Sequence, residues 1–232
     1  MTIKKAVVWS LAFLLALAFT APGAWAASKE KADARVMQAL DTLNKAMKDD
    51  DESIPRNLIK QAKAVAIFPG MLKAGFILGG EGGTGVVLER HKDGKYSPPA
   101  FFTMGGASVG LQIGASSTDM ILVVMKQKGL DGILNNQVKF GAGVSAAVGP
   151  VGGAASTGLT AAARDADVLS YSWSKGLFAG VSLDGLGIEY DEETSKNYYG
   201  QDLSVRDILE GGKAVPPESA KKLMSALENY SK

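Results

Sequence analysis

Few side chains in this chain could do chemistry, and their spacing argues against most of it. His91 is the lone histidine and there is no cysteine. Thiolate nucleophiles, disulfides and transition-metal sites built on imidazole and thiolate are thereby set aside. Gly106-Ala-Ser108-Val-Gly110 fits the G-x-S-x-G pattern of serine hydrolases. That elbow needs a strand, a sharp turn and a helix, with a histidine following the serine. Ser108 instead sits within uninterrupted strand alternation, and His91 precedes it. A serine hydrolase using Ser108 is the least favoured function. Gly80-Glu-Gly-Gly-Thr-Gly85 fits the dinucleotide pattern G-x-G-x-x-G, but a second strand follows where the motif requires a helix. The acidic runs Asp49-Asp-Asp-Glu52 and Asp191-Glu-Glu193 lack the alternating oxygen spacing of a calcium loop and read as solvated turns. No catalytic residue, metal site or cofactor is assigned.

What remains is cationic and apolar surface. Lys60 and Lys63 lie on a short helix running into the first strand, Lys73 opens the second strand, and Lys175 precedes Leu177-Phe178. Basic residues beside apolar side chains are what interfacial lipid binding uses, at about 1 kcal/mol per residue near an anionic surface. These four lysines are the candidate lipid-binding residues. The alternative is that they are ordinary solvated charges.

The elements that must position them are organised around Ala107–Ser116. Ala107, Val109, Leu111, Ile113 and Ala115 alternate with Ser108, Gly110, Gln112, Gly114 and Ser116, giving one apolar face and one small or polar face. Phe140–Gly149 repeats the device. Glycines repeated on one face suit a place where another backbone approaches closely or the sheet bends hard. Val109, Leu111, Ile113, Val144 and Val148 are the expected buried side chains of this sheet. Before it, Lys29–Lys48 has helical spacing, and Ser53 is positioned to cap a helix from Ile54. Strands are expected at 64–68, 74–78 and 84–90, with Asp93-Gly94 as a hairpin turn. Met120–Met125 is a continuous apolar run that should be buried on both faces. A short helix is expected at 130–135, a mobile loop at 149–158, and strands at 168–173 and 177–190, the last bulged at Asp184-Gly185. Ser204-Val-Arg-Asp207 is a capping box, and Pro216-Pro217 opens the final helix. Helices, then strands, then helices, without β-α alternation, indicate an α+β fold. Its core is an antiparallel β-barrel or strongly curled sheet with about three to four helices packed on its surface.

Residues 1–26 read as a signal peptide. Lys4 and Lys5 precede an apolar run that ends at Ala24-Trp25-Ala26, the A-x-A pattern of a cleavage site. Residues 27–232 then form a single domain, exported to the periplasm or cell envelope. The full chain holds 25 Lys+Arg and 24 Asp+Glu. Loss of Lys4 and Lys5 leaves 23 against 24, a balance of −1 that gives no long-range pull toward nucleic acid.

Lys73-Ala-Gly-Phe76, Gly110-Leu-Gln-Ile-Gly114 and the run from Ser170-Tyr-Ser-Trp173 to Gly185 together resemble the SYLF family of lipid-binding domains, also called Ysc-type actin-binding domains. Asn197-Tyr-Tyr-Gly200 and Val215-Pro-Pro217 extend the resemblance, which covers about Ala32 to Leu227. It implies a β-barrel core with helices on its surface, protruding flexible loops, recognition of phosphoinositide-type or other anionic phospholipid head groups, and no catalytic activity. Eukaryotic members add SH3 or FYVE modules and act at actin patches. This chain is similar instead to exported bacterial members, for which actin is not an expected partner. The function expected is therefore weak binding of an anionic phospholipid membrane surface. The alternative is a structural or partner-binding envelope protein without lipid affinity.

Overall fold

The structure, a computed structural model, describes residues 21–48, 52–136, 138–152, 159–174, 176–178 and 181–232. Among these it describes side chains outside 21–27, 74–79 and 107–115. The described residues open with helices α1 (Ala21–Ala46) and α2 (Arg56–Gln61). Two long strands follow, β1 (Ala64–Glu89) and β2 (Ala100–Val124). Next come α3 (Gln127–Leu134), β3 (Val138–Lys139), β4 (Ala146–Val148), α4 (Ala161–Asp165), β5 (Val168–Ser174), β6 (Leu177–Phe178) and β7 (Leu186–Tyr190). Helices α5 (Glu192–Tyr199), α6 (Val205–Leu209) and α7 (Glu218–Tyr230) close the chain.

β1 and β2 pair antiparallel from Ala64↔Val124 to Val87↔Ala100. They are joined by the expected turn, in which the Gly94 N–H donates to the His91 carbonyl (2.9 Å) with Gly94 at φ +86°. β1 also doubles back beside itself. The Arg90 N–H donates to the Lys63 carbonyl (2.7 Å), a side chain on Gly83 would strike Met71, and one on Gly85 would strike the Ile67 carbonyl and the Phe68 ring. This is a close backbone approach at glycines outside the 107–116 and 140–149 stretches for which one is expected. It is displayed at Gly83 and Gly85; the corresponding surroundings of Gly110 and Gly114 lie outside the described residues.

The sheet runs β3-β7-β2-β5-β4, with β1 along β2 and β6 along β5, and curls into a half-barrel. Its pairings are antiparallel apart from β4 with β5. Successive residues feed opposite cores. Val65, Ile67, Val86, Phe101, Ile121 and Val123 pack toward α1, α2 and α7. Ala66, Phe68, Val87, Phe102, Met120 and Leu122 pack toward α3 and α6. The Met120–Val124 run is buried on both faces, as its unbroken apolar character requires. Each fully buried aliphatic or aromatic side chain contributes about 1.5–3 kcal/mol relative to exposure. Polar contacts pin the helices: the Tyr198 hydroxyl and Ser219 Oγ lie 2.7 Å apart, and Ser219 Oγ donates to Asp33 on α1.

Several expected boundaries move. The strands expected at 64–68, 74–78 and 84–90 are one strand, because Pro69-Gly70 forms a bulge with Gly70 at φ +61° instead of ending the ladder. Phe140–Gly149 is not a strand. Gly141 adopts φ +82° and turns the chain, so that only a Phe140↔Val144 bridge and the short β4 remain. The Asp184-Gly185 signal is a turn separating β6 from β7, with Gly185 at φ +85°. Helix α2 begins at Arg56 with Pro55 before it and no side-chain cap, so Ser53 does not cap it. The Ser204–Asp207 capping box is present. Of the side chains expected inside, Val144 is buried and Val148 is 41% exposed on a strand outside β5. Val109, Leu111 and Ile113, and the loop at 153–158, lie outside the described residues.

Candidate functional site

One end of the sheet gathers basic residues through backbone pairing. The Lys63 N–H donates to the Val124 carbonyl (2.7 Å) while its own carbonyl accepts from Arg90. This sets the start of β1 between the end of β1 and the end of β2. Lys60 on α2, Lys92 and Lys95 in the hairpin turn, and Lys126 two residues beyond Val124 therefore share this end with Lys63. All five lysines are exposed, and none forms an ion pair among the described residues. Lys60 Nζ donates to the main-chain oxygen of Lys232 (3.4 Å) and Lys126 Nζ to the Asp165 carbonyl.

Beneath them polar contacts tie the end to the helices. The Tyr96 hydroxyl donates to the Ile59 carbonyl (3.3 Å), and burial pushes the phenol up. His91 Nε2 donates to the Leu209 carbonyl at 2.7 Å. Burial raises the half-buried Glu89 carboxyl; His91 and Arg206 oppose that shift and Glu210 adds to it. Its Oε2 has no hydrogen-bond partner among the described residues.

Lys73 stands where β1 doubles back, about 30 Å of strand rise along the chain from Lys63. Its Nζ lies 3.7 Å from Glu81, whose side chain is 7% exposed. Its charge is thus held by a buried carboxylate. Leu72 and Leu177, at 62% and 68% exposure, occupy the same end of the sheet. The structure therefore brings Lys60 and Lys63 together and sets Lys73 apart, while Lys175 lies outside the described residues. Sequence reasoning missed Lys92, Lys95 and Lys126. The Asp93-Gly94 turn was the available signal for the first two; Lys126 needed the strand register.

Two other features carry no comparable concentration of charge. A cleft of about 360 Å³ between α1 and α5 holds Lys31 and Arg35 against Asp191 and Glu193. Arg35 donates to the Thr84 carbonyl at 2.6 Å, and burial lowers its guanidinium while Asp191 opposes the shift. Opposite charges share the space, which suits no single-sign ligand. Ser108 pairs with Gly79 inside β2, where no helix follows, and Gly80–Gly85 lies inside β1. Neither stretch has the strand-turn-helix geometry that its motif needs. Among the described residues no group of three acidic, histidine or cysteine side chains is placed to hold a metal ion.

A family model described as "Ysc84: Las17-binding protein actin regulator" matches residues 105–230, more than half of the chain. The chain is 36% identical over 181 residues to LAS seventeen-binding protein 3 of Saccharomyces cerevisiae, covering 77% of this chain and 39% of that protein. It is also 36% identical to Protein YSC84 of the same yeast, and 34% identical over 182 residues to human SH3 domain-containing YSC84-like protein 1. The human match covers 78% of this chain and 52% of the relative. The chain thus spans about half or less of the length of these relatives. No solved structure matches. The family match falls on β2, β5 and the closing helices, the elements that frame both ends of the sheet, and the chain belongs to the Ysc84 family, the SYLF family that its motifs resemble.

Proposed function

We propose that the chain is a non-catalytic binding module that attaches to anionic phospholipid head groups through the basic end of its sheet. The observation that carries this reading is the group of exposed lysines at 60, 63, 92, 95 and 126, drawn together by the Lys63 backbone bonds and lacking carboxylate partners in ion pairs among the described residues. At about 1 kcal/mol per lysine near an anionic surface, such a group gives weak attachment. Physiological salt weakens it further, since screening acts over about 8 Å.

Sedimentation of the purified full-length chain with vesicles tests this. Vesicles containing anionic phospholipid should carry it down and purely zwitterionic ones should not, and added salt should release it. Lys60→Glu with Lys63→Glu should remove most of the binding. A double variant that sediments like the parent would sink the assignment to this end.

The compartment proposed is the cell envelope, with removal of residues 1–26. Helix α1 spans Ala21–Ala46, so cleavage after Ala26 would remove residues 21–26 from it and leave the body of the helix. Mass spectrometry of the mature protein should then find Ala27 at the N-terminus; retention of residues 1–26 would refute export by this route. A protein partner is the second reading. The relatives named as LAS seventeen-binding favour it, as do the exposed Leu72 and Leu177. It predicts co-purification with another envelope protein without vesicle binding.

A further inference from the structure

The cleft between α1 and α5 has one cationic wall and one anionic wall, and the two do not satisfy each other. Lys31 and Arg35, four residues apart on α1, share a helix face. Like charges at that spacing repel, and neither side chain forms an ion pair among the described residues. Across the space stand Asp191, the N-cap of α5, and Glu193 in its first turn. These carboxylates are likewise without ion pairs among the described residues. Both walls are anchored to adjacent strands. Arg35 donates to the Thr84 carbonyl on β1 (2.6 Å), and the Asp191 N–H donates to the Phe101 carbonyl on β2 (2.9 Å). Asp191 is fixed further: its Oδ1 accepts the Thr194 N–H (2.9 Å) and its Oδ2 the Thr194 hydroxyl (2.7 Å). A lone pair on each oxygen is left for a further donor. Two positive and two negative side chains thus line about 360 Å³ of space without reaching each other.

We propose that this cleft binds a small zwitterion, a primary ammonium and a carboxylate on a short carbon backbone, as in a free amino acid. The carboxylate lies against Lys31 and Arg35, and the ammonium against Asp191 and Glu193. Such a ligand spans the gap, relieves the like-charge repulsion on each wall and leaves the charge of the cleft balanced. A ligand of one sign does not. An anion satisfies α1 and meets the carboxylates of the other wall; a cation does the reverse. The planar guanidinium of Arg35 suits a carboxylate. Its partial burial also leaves that contact less screened by water than a surface pair. A zwitterion built on a phosphate monoester fits less well, since the phosphate brings a charge of about −1.5 to −2 into a balanced site. The volume lies at the lower end of the range for ligand sites. The lining begins at Ser28, so the cleft is complete in a chain that starts at Ala27.

Titration of the isotope-labelled full chain with glycine, β-alanine and γ-aminobutyrate, followed by its amide resonances, tests this and reads the span of the gap. At least one of the three should move the resonances of residues 28–35, 84 and 191–197 to saturation. Acetate and methylammonium, each carrying half of the ligand, should bind several-fold more weakly. Lys31→Gln and Glu193→Gln, at exposed positions, should each weaken the zwitterion several-fold with the circular dichroism unchanged. Should either variant fail to fold, the comparison of whole and half ligands on the unmodified chain still decides. Lys60→Glu with Lys63→Glu should bind the zwitterion like the parent, which separates this cleft from the basic end of the sheet and from vesicle binding there. The proposal is overturned if none of the three moves those resonances, if acetate alone binds as tightly, or if both glutamine variants bind like the parent. Tighter binding of phosphoethanolamine than of any of the three would assign the cleft to phospholipid head groups and overturn the amino-acid reading.

Discussion

At the Lys63 end of β1, basic side chains gather without ion-pair partners among the described residues. At the Lys73 end of the same strand, the described lysine is held by a buried carboxylate and its exposed neighbours are leucines. The contrast shows that a lysine's residue type and its place at a strand end do not make it available to a ligand. What decides is whether the fold supplies an opposite charge first. Lys73 serves Glu81, whereas Lys63 serves the backbone ladder and leaves its ammonium to solvent.

Breaking the doubled-back strand that separates the two ends should have the largest effect. Gly85→Val drives a side chain into the Ile67 carbonyl and the Phe68 ring. It should cost about 3 kcal/mol, lowering the melting temperature by about 6–12 °C. Gly80→Val, with open space around the added atom, should leave the melt almost unmoved. Equal effects would mean that the two halves of β1 do not lie side by side. Next in size is Lys73→Ala, which strands the Glu81 carboxylate. A loss of about 1 kcal/mol in urea unfolding is expected, together with vesicle binding close to the parent's. Unchanged stability would show that the pair contributes nothing.

A smaller effect sharpens the other end. Burial holds the Glu89 carboxyl above its ordinary value, so the folded chain binds this proton more tightly than the unfolded one. Its contribution to stability is fully present below pH 4.5 and fades as pH rises through the folded value. Glu89→Gln should therefore raise stability at neutral pH, by about a few tenths of a kcal/mol given partial exposure. The difference from the parent should shrink in acid. A gain that persists below pH 4 would assign it to something other than the charge. Smallest of all, Lys60→Glu and Lys63→Glu should shift the melting temperature within error, since both side chains are exposed. A large shift would show that those lysines hold the fold together.

The α+β class, the curled antiparallel sheet, the Asp93-Gly94 turn, the Ser204 capping box and the two-sided burial of Met120–Val124 were all legible, because each depends on residues close in sequence. The continuity of β1 was not. Pro69-Gly70 and the glycines at 79–83 carry turn signals locally, and only pairing with β2 turns them into a bulge and a point of close approach. Phe140–Gly149 misled for the opposite reason: its alternation suits a strand, but Gly141 takes a left-handed conformation that turns the chain. The candidate site was half legible. Lys60 and Lys63 follow from a helix entering a strand, whereas Lys92, Lys95 and Lys126 join them through bonds that span tens of residues.

The register of the long ribbon also bears on how the chain finds its fold. Val87↔Ala100 is a local contact across a short turn, and each further rung toward Ala64↔Val124 closes only a little more chain than the last. Pairing can therefore propagate from the Asp93-Gly94 turn, with loop-closure entropy growing slowly at every step. The contacts between the two halves of β1 form only once that propagation has passed the irregularities at Phe68/Met71 and Gly75/Ile77. On this order of events, changes in the turn slow folding, and changes at Gly83 or Gly85 chiefly hasten unfolding.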